Sequence, residues 1–208
     1  MSVIQFYFDF GSPNAYLSHK VIPDIEARTG AKFEYVPVLL GGIFKLTGNQ
    51  SPGTAFAGIR NKPEYERLEM RRFIARHRLT AYKWNPHFPV NTLQLMRCAV
   101  AAQQLGILAP YVEAMYACMW EQERKMDDPA VIRAALLDAG LPADQLLAMM
   151  TTDPVKAGLM ANTEAAVAAG AFGSPSFLVG TELFFGKDRL RDVEEEVLRQ
   201  AGGTATQA

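Results

Sequence analysis

Phe6-Tyr7-Phe8-Asp9-Phe10-Gly11-Ser12-Pro13-Asn14-Ala15-Tyr16-Leu17 is an aromatic run that stops at a glycine and resumes after Ser-Pro with a different period. Val3 to Phe10 is rich in aromatic and β-branched residues, the types that suit a buried pleated strand. Gly11 supplies a break where the backbone must turn sharply. Ser12 then falls at an N-cap, its hydroxyl placed to accept from a free first-turn N–H. Pro13 fits the first helical position, with its fixed φ and missing donor. Tyr16, Leu17, Lys20, Val21 and Asp24 continue at helical spacing to about Arg28, and Gly30 is a natural left-handed stop. One hydroxyl therefore sits at the positive end of a helix dipole, which carries about half an elementary charge and favours an anion such as a thiolate. From this stretch alone, capping is a sufficient explanation of Ser12.

The whole chain bounds the answer. Its 208 residues, 49% hydrophobic and 21% charged, suffice for one domain, or one domain carrying an inserted second layer. The net charge of −1 and the lack of a basic block argue against nucleic acid as a partner. No basic leader precedes the first strand and no stretch nears about 18 consecutive apolar residues, so a cytoplasmic protein without a membrane partner is expected. Cys98 and Cys118 form neither a Cys-x-x-Cys pair nor a metal cluster. Each falls on an apolar helical stripe and reads as a buried reduced thiol.

Outward from the opening stretch, Lys32 to Val38 alternates and reads as a second strand, parallel to the first through a right-handed crossover. Pro37 belongs on an edge or at a strand end. Gly41 to Asn61 is full of turn chemistry and reads as a long loop holding Lys45, Asn49 and Arg60, followed by Lys62. Pro63 to Arg78 is a helix with acids early and arginines late, leaving His77 exposed at its end. Tyr82 to Pro89 is an aromatic, proline-rich loop that either walls an apolar pocket or tucks Trp84 into the core.

Asn91 to Gly170 is helical almost without relief: 92 to 105, Pro110 to about Glu123, a helix capped by Asp128 and closed by Gly140, one from Pro142 to about Met150, and one capped by Asp153. Ser176-Phe177-Leu178-Val179, Gly180-Thr181 and Leu183-Phe184-Phe185 then read as two strands across a tight turn. Asp188 caps a last helix through Leu198, and a loose tail starts at Ala201.

The order βαβ, helices, ββα is that of one α/β sheet interrupted by an insertion. It resembles the thioredoxin-like fold of the DsbA group with an inserted all-helical domain: residues 1–62 and 171–208 form the thioredoxin-like part and 63–170 the insertion. Where that group carries Cys-x-x-Cys, this chain has Ser12-Pro13-Asn14-Ala15, which excludes dithiol chemistry there. Pro175 matches a proline that the resemblance implies to be cis.

Phe-Asp-Phe-x-Ser-Pro at 8–13, Gly48-Asn49, Phe172-Gly173-Ser174-Pro175-Ser176-Phe177 and Phe185-Gly186-Lys187-Asp188-Arg189-Leu190 together resemble the 2-hydroxychromene-2-carboxylate isomerase and kappa-class glutathione transferase family, over nearly the whole chain. The resemblance implies that glutathione is the cofactor. Ser12 then bonds its sulfur, Ser174 and Pro175 meet the cysteinyl moiety, Asp188 and Arg189 hold the γ-glutamyl end, and Asn49 and Lys62 take the remaining carboxylate. Asn14 lines the same rim, where the family commonly has an aromatic. Lys45, Tyr82 and Trp84 face the second substrate, an aromatic carboxylate. A homodimer through the helical insertion is also implied.

In the isomerase reading the thiolate adds reversibly to a conjugated substrate, frees a bond to rotate, and is expelled. A thiol near pKa 8.5 is only about 3% ionised at pH 7, and lowering it by about two units takes roughly 2.7 kcal/mol. A Ser12 hydrogen bond of about 1.5–3 kcal/mol plus a dipole contribution of about 0.3–1 reaches that figure. Three readings compete with the isomerase: a kappa-type transferase in which the thiolate stays attached to an electrophile, a non-catalytic thioredoxin-like binding protein in which Ser12 only caps, and a disulfide oxidoreductase, the weakest, which needs Cys98 or Cys118 exposed.

Overall fold

The computed structural model describes residues 3–203. Strand β1 (Val3–Phe8), helix α1 (Pro13–Thr29) and strand β2 (Lys32–Pro37) form the expected parallel unit, in register from Val3 opposite Lys32 to Phe8 opposite Pro37. Helix α1 ends on Gly30 at φ 70°, whose N–H donates to the Glu26 carbonyl; only glycine adopts that conformation without steric cost. β2 is an edge strand and Pro37 its last residue, so no ladder hydrogen bond is lost to the proline.

The expected loop over 41–61 is in part helical: α2 spans Leu40–Thr47 and α3 spans Pro52–Ala55. Gly41 and Gly42 are helical residues, and a Cβ at Gly42 would stand 3.2 Å from the Thr163 methyl. The glycine thus marks close packing against a later helix where a turn was expected. Gly48, at φ 67°, stops α2.

Six helices follow: α4 (Lys62–His77), α5 (Leu93–Gln104), α6 (Leu108–Trp120), α7 (Pro129–Asp138), α8 (Ala143–Met149) and α9 (Asp153–Ala168). Asp128 caps α7 by accepting from Ala130 N at 2.9 Å. Asp153 does not cap: it lies inside α9, after Thr152. α6 stops at Trp120, short of Glu123, whose φ of 58° cannot continue a helix. His77 is half-buried, its ring 4.4 Å from that of Phe73.

Strands β3 (Ser176–Val179) and β4 (Glu182–Phe185) complete a four-stranded sheet of order β2-β1-β3-β4, with β3 antiparallel to both neighbours. A 3-10 turn at Lys187–Arg189 leads into α10 (Leu190–Gly203). Asp188 therefore lies within a tight turn and does not cap the final helix. Ala201 to Gly203, expected in a loose tail, are helical; residues 204–208 lie outside the described region.

The core is continuous between the sheet and the long helices. Phe6 stacks on Phe177 with centroids 5.2 Å apart, and Phe10 meets Tyr116 edge-on at 4.8 Å. The Trp120 indole donates to the Phe10 carbonyl at 2.8 Å. Each such ring removes apolar surface worth about 1.5–3 kcal/mol, so the β1–α1 turn rests on helical-block side chains. Among the described residues no helix is long and apolar enough to cross a membrane.

Candidate active site at the start of the first helix

The turn between β1 and α1 is built around a buried carboxylate. Asp9 Oδ1 accepts from Gly11 N at 2.8 Å and from the Thr92 hydroxyl at 2.7 Å, while Oδ2 accepts from Leu40 N at 2.8 Å. Burial pushes the Asp9 carboxyl up, against the pull of these three donors. The Asp9 carbonyl accepts from Ser12 N at 3.1 Å, so one residue fixes both ends of the turn.

Ser12 is 4% exposed and its hydroxyl is used twice. Oγ accepts from Ala15 N at 3.2 Å, the expected cap, and donates to the Ser174 carbonyl at 2.8 Å. The Ser174–Pro175 peptide is cis, as the resemblance implied; Phe88–Pro89 is a second cis bond. Tyr16 N goes to the Ser12 carbonyl and Pro13 has no N–H. Among the described residues no acceptor takes the Asn14 N–H. Asn14 Oδ1 is likewise buried without a partner. The free Asn14 N–H, next to a hydroxyl at a helix start, forms a place for an anion, whereas the Oδ1 acceptor suits a ligand's donor.

Two further links draw in the C-terminal segment. Gly186 N donates to the Pro175 carbonyl at 2.9 Å, which ties the turn bearing Asp188 and Arg189 to Pro175. Asn49 Nδ2 donates to the Phe172 carbonyl at 2.8 Å. Ser12, Asn14, Ser174, Pro175, Asp188, Arg189 and Asn49 are therefore joined through successive hydrogen bonds or neighbouring positions. Lys62 is paired with Glu66 at 2.5 Å and lies over the Phe56 ring at 4.9 Å. Lys45 is exposed, and no hydrogen bond ties it to the Ser12 turn.

Tyr82 and Trp84 divide between the two expected roles. Tyr82 is half-buried, 5.8 Å from the Tyr16 ring and 6.1 Å from Trp120. Trp84 is 53% exposed and leans on Phe88 and Trp120. It is not tucked into the core. Both belong to an aromatic cluster that reaches α1 through Tyr16.

Two residues had no role assigned from sequence. Asp9 and Lys187 figured only as members of motifs; a buried Lys187 can be found only once Phe73 is known to lie beside it. Two cavities, of about 550 and 380 Å3, lie away from Ser12: one beside His87, Arg124 and Val131, the other beside His19, Tyr35 and Glu113. Neither bears on the serine. Cys98 and Cys118 are both buried and free, and burial raises the Cys98 thiol to about 12. No group of three or more potential metal ligands occurs among the described residues.

Comparison with known proteins fits this architecture. The chain is 27% identical over 197 residues to 2-hydroxychromene-2-carboxylate isomerase of Sphingobium xenophagum, covering 94% of this chain and 97% of that one. It is 27% identical over 201 residues to glutathione S-transferase kappa 1 of Rattus norvegicus, covering 90% and 87%. A solved structure of 2-hydroxychromene-2-carboxylate isomerase superposes with a TM-score of 0.80 at 20% identity over 99% of both chains. A probable DsbA oxidoreductase from Streptomyces coelicolor gives 0.69 at 20%, covering 98% and 91%. Residues 3–198 match the model for the DSBA-like thioredoxin domain, and the chain belongs to that family.

Proposed function

We propose that the protein is a glutathione-dependent isomerase acting on 2-hydroxychromene-2-carboxylate or a similar small aromatic carboxylate. The observation that carries this reading is the Ser12 hydroxyl, held at the start of α1 against the carbonyl that precedes the cis Pro175. Relatives bearing the isomerase and the kappa transferase names both match most of the chain at 27% identity, which supports a glutathione-related enzyme. The reading takes residues 1–62 with 171–208 as the thioredoxin-like part, 63–170 as the inserted helical part, and the working molecule as a cytoplasmic homodimer.

The donor set fits a thiol tripeptide. The Asn14 N–H is free and Asn14 Oδ1 is an unpartnered acceptor, while the Asp188 carboxylate is 64% exposed. Glutathione, when bound, supplies a thiolate able to add reversibly to a conjugated double bond. Ser12 has a single hydrogen, and presenting it to sulfur withdraws it from the Ser174 carbonyl. Its net contribution is therefore the difference between a charge-assisted and a neutral bond, about 1–1.5 kcal/mol. The Asn14 N–H, with no bond to give up, supplies the rest together with the dipole. Serine at this position cannot form the mixed disulfide that cysteine would. Ser174 and Pro175 offer backbone groups to the cysteinyl part, and Asp188 and Arg189 receive the γ-glutamyl end. Asn49 and Lys62 take the other carboxylate, which requires Lys62 to leave Glu66. Lys45, Tyr82 and Trp84 bound the second substrate.

The test is the isomerisation rate of 2-hydroxychromene-2-carboxylate with and without glutathione, for the native protein and Ser12→Ala. Glutathione-dependent turnover that falls at least about 100-fold in the variant supports the reading. A kappa-type transferase is the second reading, favoured equally by relative identity; it accumulates conjugate from an electrophile and leaves the chromene unchanged. A protein with no affinity for glutathione is a binding module in which Ser12 only caps.

A further inference from the structure

Lys187 is 5% exposed and lies near enough to Glu69 on α4 for that carboxylate to feel its charge. Its Nζ stands 5.1 Å above the Phe73 ring and donates to both oxygens of the adjacent Asp188, at 2.7 and 2.8 Å. A buried ammonium is costly unless it is paired, and this one is paired with a carboxylate that is itself 64% exposed. The cation lies beneath and the anion faces outward. Two bonds to one carboxylate fix its plane as well as its place, while each oxygen keeps outward lone pairs. The turn is anchored separately by Gly186 N on the Pro175 carbonyl. Arg189 donates to Asp192 at 3.1 Å, so Lys187, Asp188, Arg189 and Asp192 alternate in sign and sum to no net charge. A neutral, alternating set suits a zwitterionic amino-acid end better than a lone cation.

We propose that Lys187 is a positioning residue: it holds the Asp188 carboxylate so that its outward lone pairs receive the α-ammonium of an amino-acid-type ligand end. The inference rests on the glutathione reading and deepens it, since the γ-glutamyl group carries such an ammonium. Lys187 does not touch the ligand. It spares Asp188 the ordering it would otherwise undergo on binding, and that pre-organisation is affinity.

The experiment compares binding of glutathione and its des-amino analogue, glutaryl-cysteinyl-glycine, by calorimetry. The proteins are the native chain and Lys187→Met, whose thioether chain can lie along Phe73. Native protein is expected to favour glutathione by about 10- to 100-fold, the range for one hydrogen bond to a charged group. In Lys187→Met that ratio falls to below about 3-fold, chiefly through weaker glutathione binding. A purely structural role would weaken both ligands alike and leave the ratio unchanged, which overturns the proposal. A ratio that rises also overturns it, because Lys187 would then repel the ammonium. Should Lys187→Met not fold, Asp188→Asn in the native background must abolish the preference for the amino group, or the proposal fails. Native protein that binds both ligands equally removes the Lys187 role and keeps the glutathione reading, whereas native protein that binds neither removes both.

Discussion

The Ser12 hydroxyl donates to the Ser174 carbonyl at 2.8 Å across 162 positions of the chain. One bond closes the helix start against the cis-proline loop. Replacing Ser12 by alanine removes this bond and the cap to Ala15 N together. A loss of about 2–4 kcal/mol is expected in urea unfolding, the sum of a cap near 1 and an orphaned buried carbonyl of about 1–3. Ser12→Cys restores a polar atom that oxidised glutathione can trap. Incubation should yield a mixed disulfide, read as one added glutathionyl group by intact-protein mass and reversed by reductant.

Asp9 satisfies two backbone N–H groups and the Thr92 hydroxyl from a fully buried position. Asp9→Asn turns one acceptor into a donor that faces another donor. It should destabilise by about 2–4 kcal/mol and lower turnover by loosening Ser12. Thr92→Val, which removes one donor only, should cost less in the same unfolding assay.

Glu113 is held down to about 2 from its ordinary 4.5 by its hydrogen bond to His19, then by Lys20. A lowered carboxyl contributes stability that is complete above about 4.5 and is lost as the pH falls towards about 2. Since its side chain is 58% exposed, solvent screening limits the contribution to below about 1 kcal/mol. Unfolding free energies of native protein and Glu113→Gln should differ at pH 6 and converge as the pH is lowered through that window. A constant difference would count against the ion pair as the cause.

Native protein should not react with an aromatic disulfide thiol reagent, since Cys98 is fully buried and Cys118 is 4% exposed, and burial raises the Cys98 thiol to about 12. Both thiols should appear on unfolding. Rapid reaction of either in the folded state would revive the disulfide oxidoreductase reading.

A Cβ at Gly173 would lie 2.7 Å from the Phe185 ring. Phe185 is 41% exposed and can swing outward, so Gly173→Ala should cost only about 1 kcal/mol. Its effect should show in substrate KM, because the Phe185 and Phe172 rings meet at a tilt, 4.5 Å apart, on the segment that carries Ser174.

What could be read from the sequence was what neighbouring residues decide. The Ser12 cap, Pro13 and Gly30 of the first unit are local chemistry and lie where spacing placed them, while the strand stops at Phe8, two residues before the expected Phe10. The helical α2 was missed because Gly42 answers to Thr163, far along the chain. Lys62 and Asp188 looked like free charges, yet their ion pairs with Glu66 and Lys187 appear only with the helix register and the 3-10 turn in place. The alignment of Asn49 with the Phe172 carbonyl is likewise a tertiary fact with no trace in composition.

The sheet order has a consequence for how the chain is made. β1 lies between β2 and β3, and β3 starts only at Ser176. Until that segment leaves the ribosome, a strand bearing Phe6 and Phe8 keeps one edge unpaired, and Phe6 lacks the Phe177 ring that stacks on it. Such an edge recruits other chains. A fragment ending before Ser176 should therefore be caught by chaperones or precipitate, and the native serine site cannot exist until the segment bearing Ser174 has emerged.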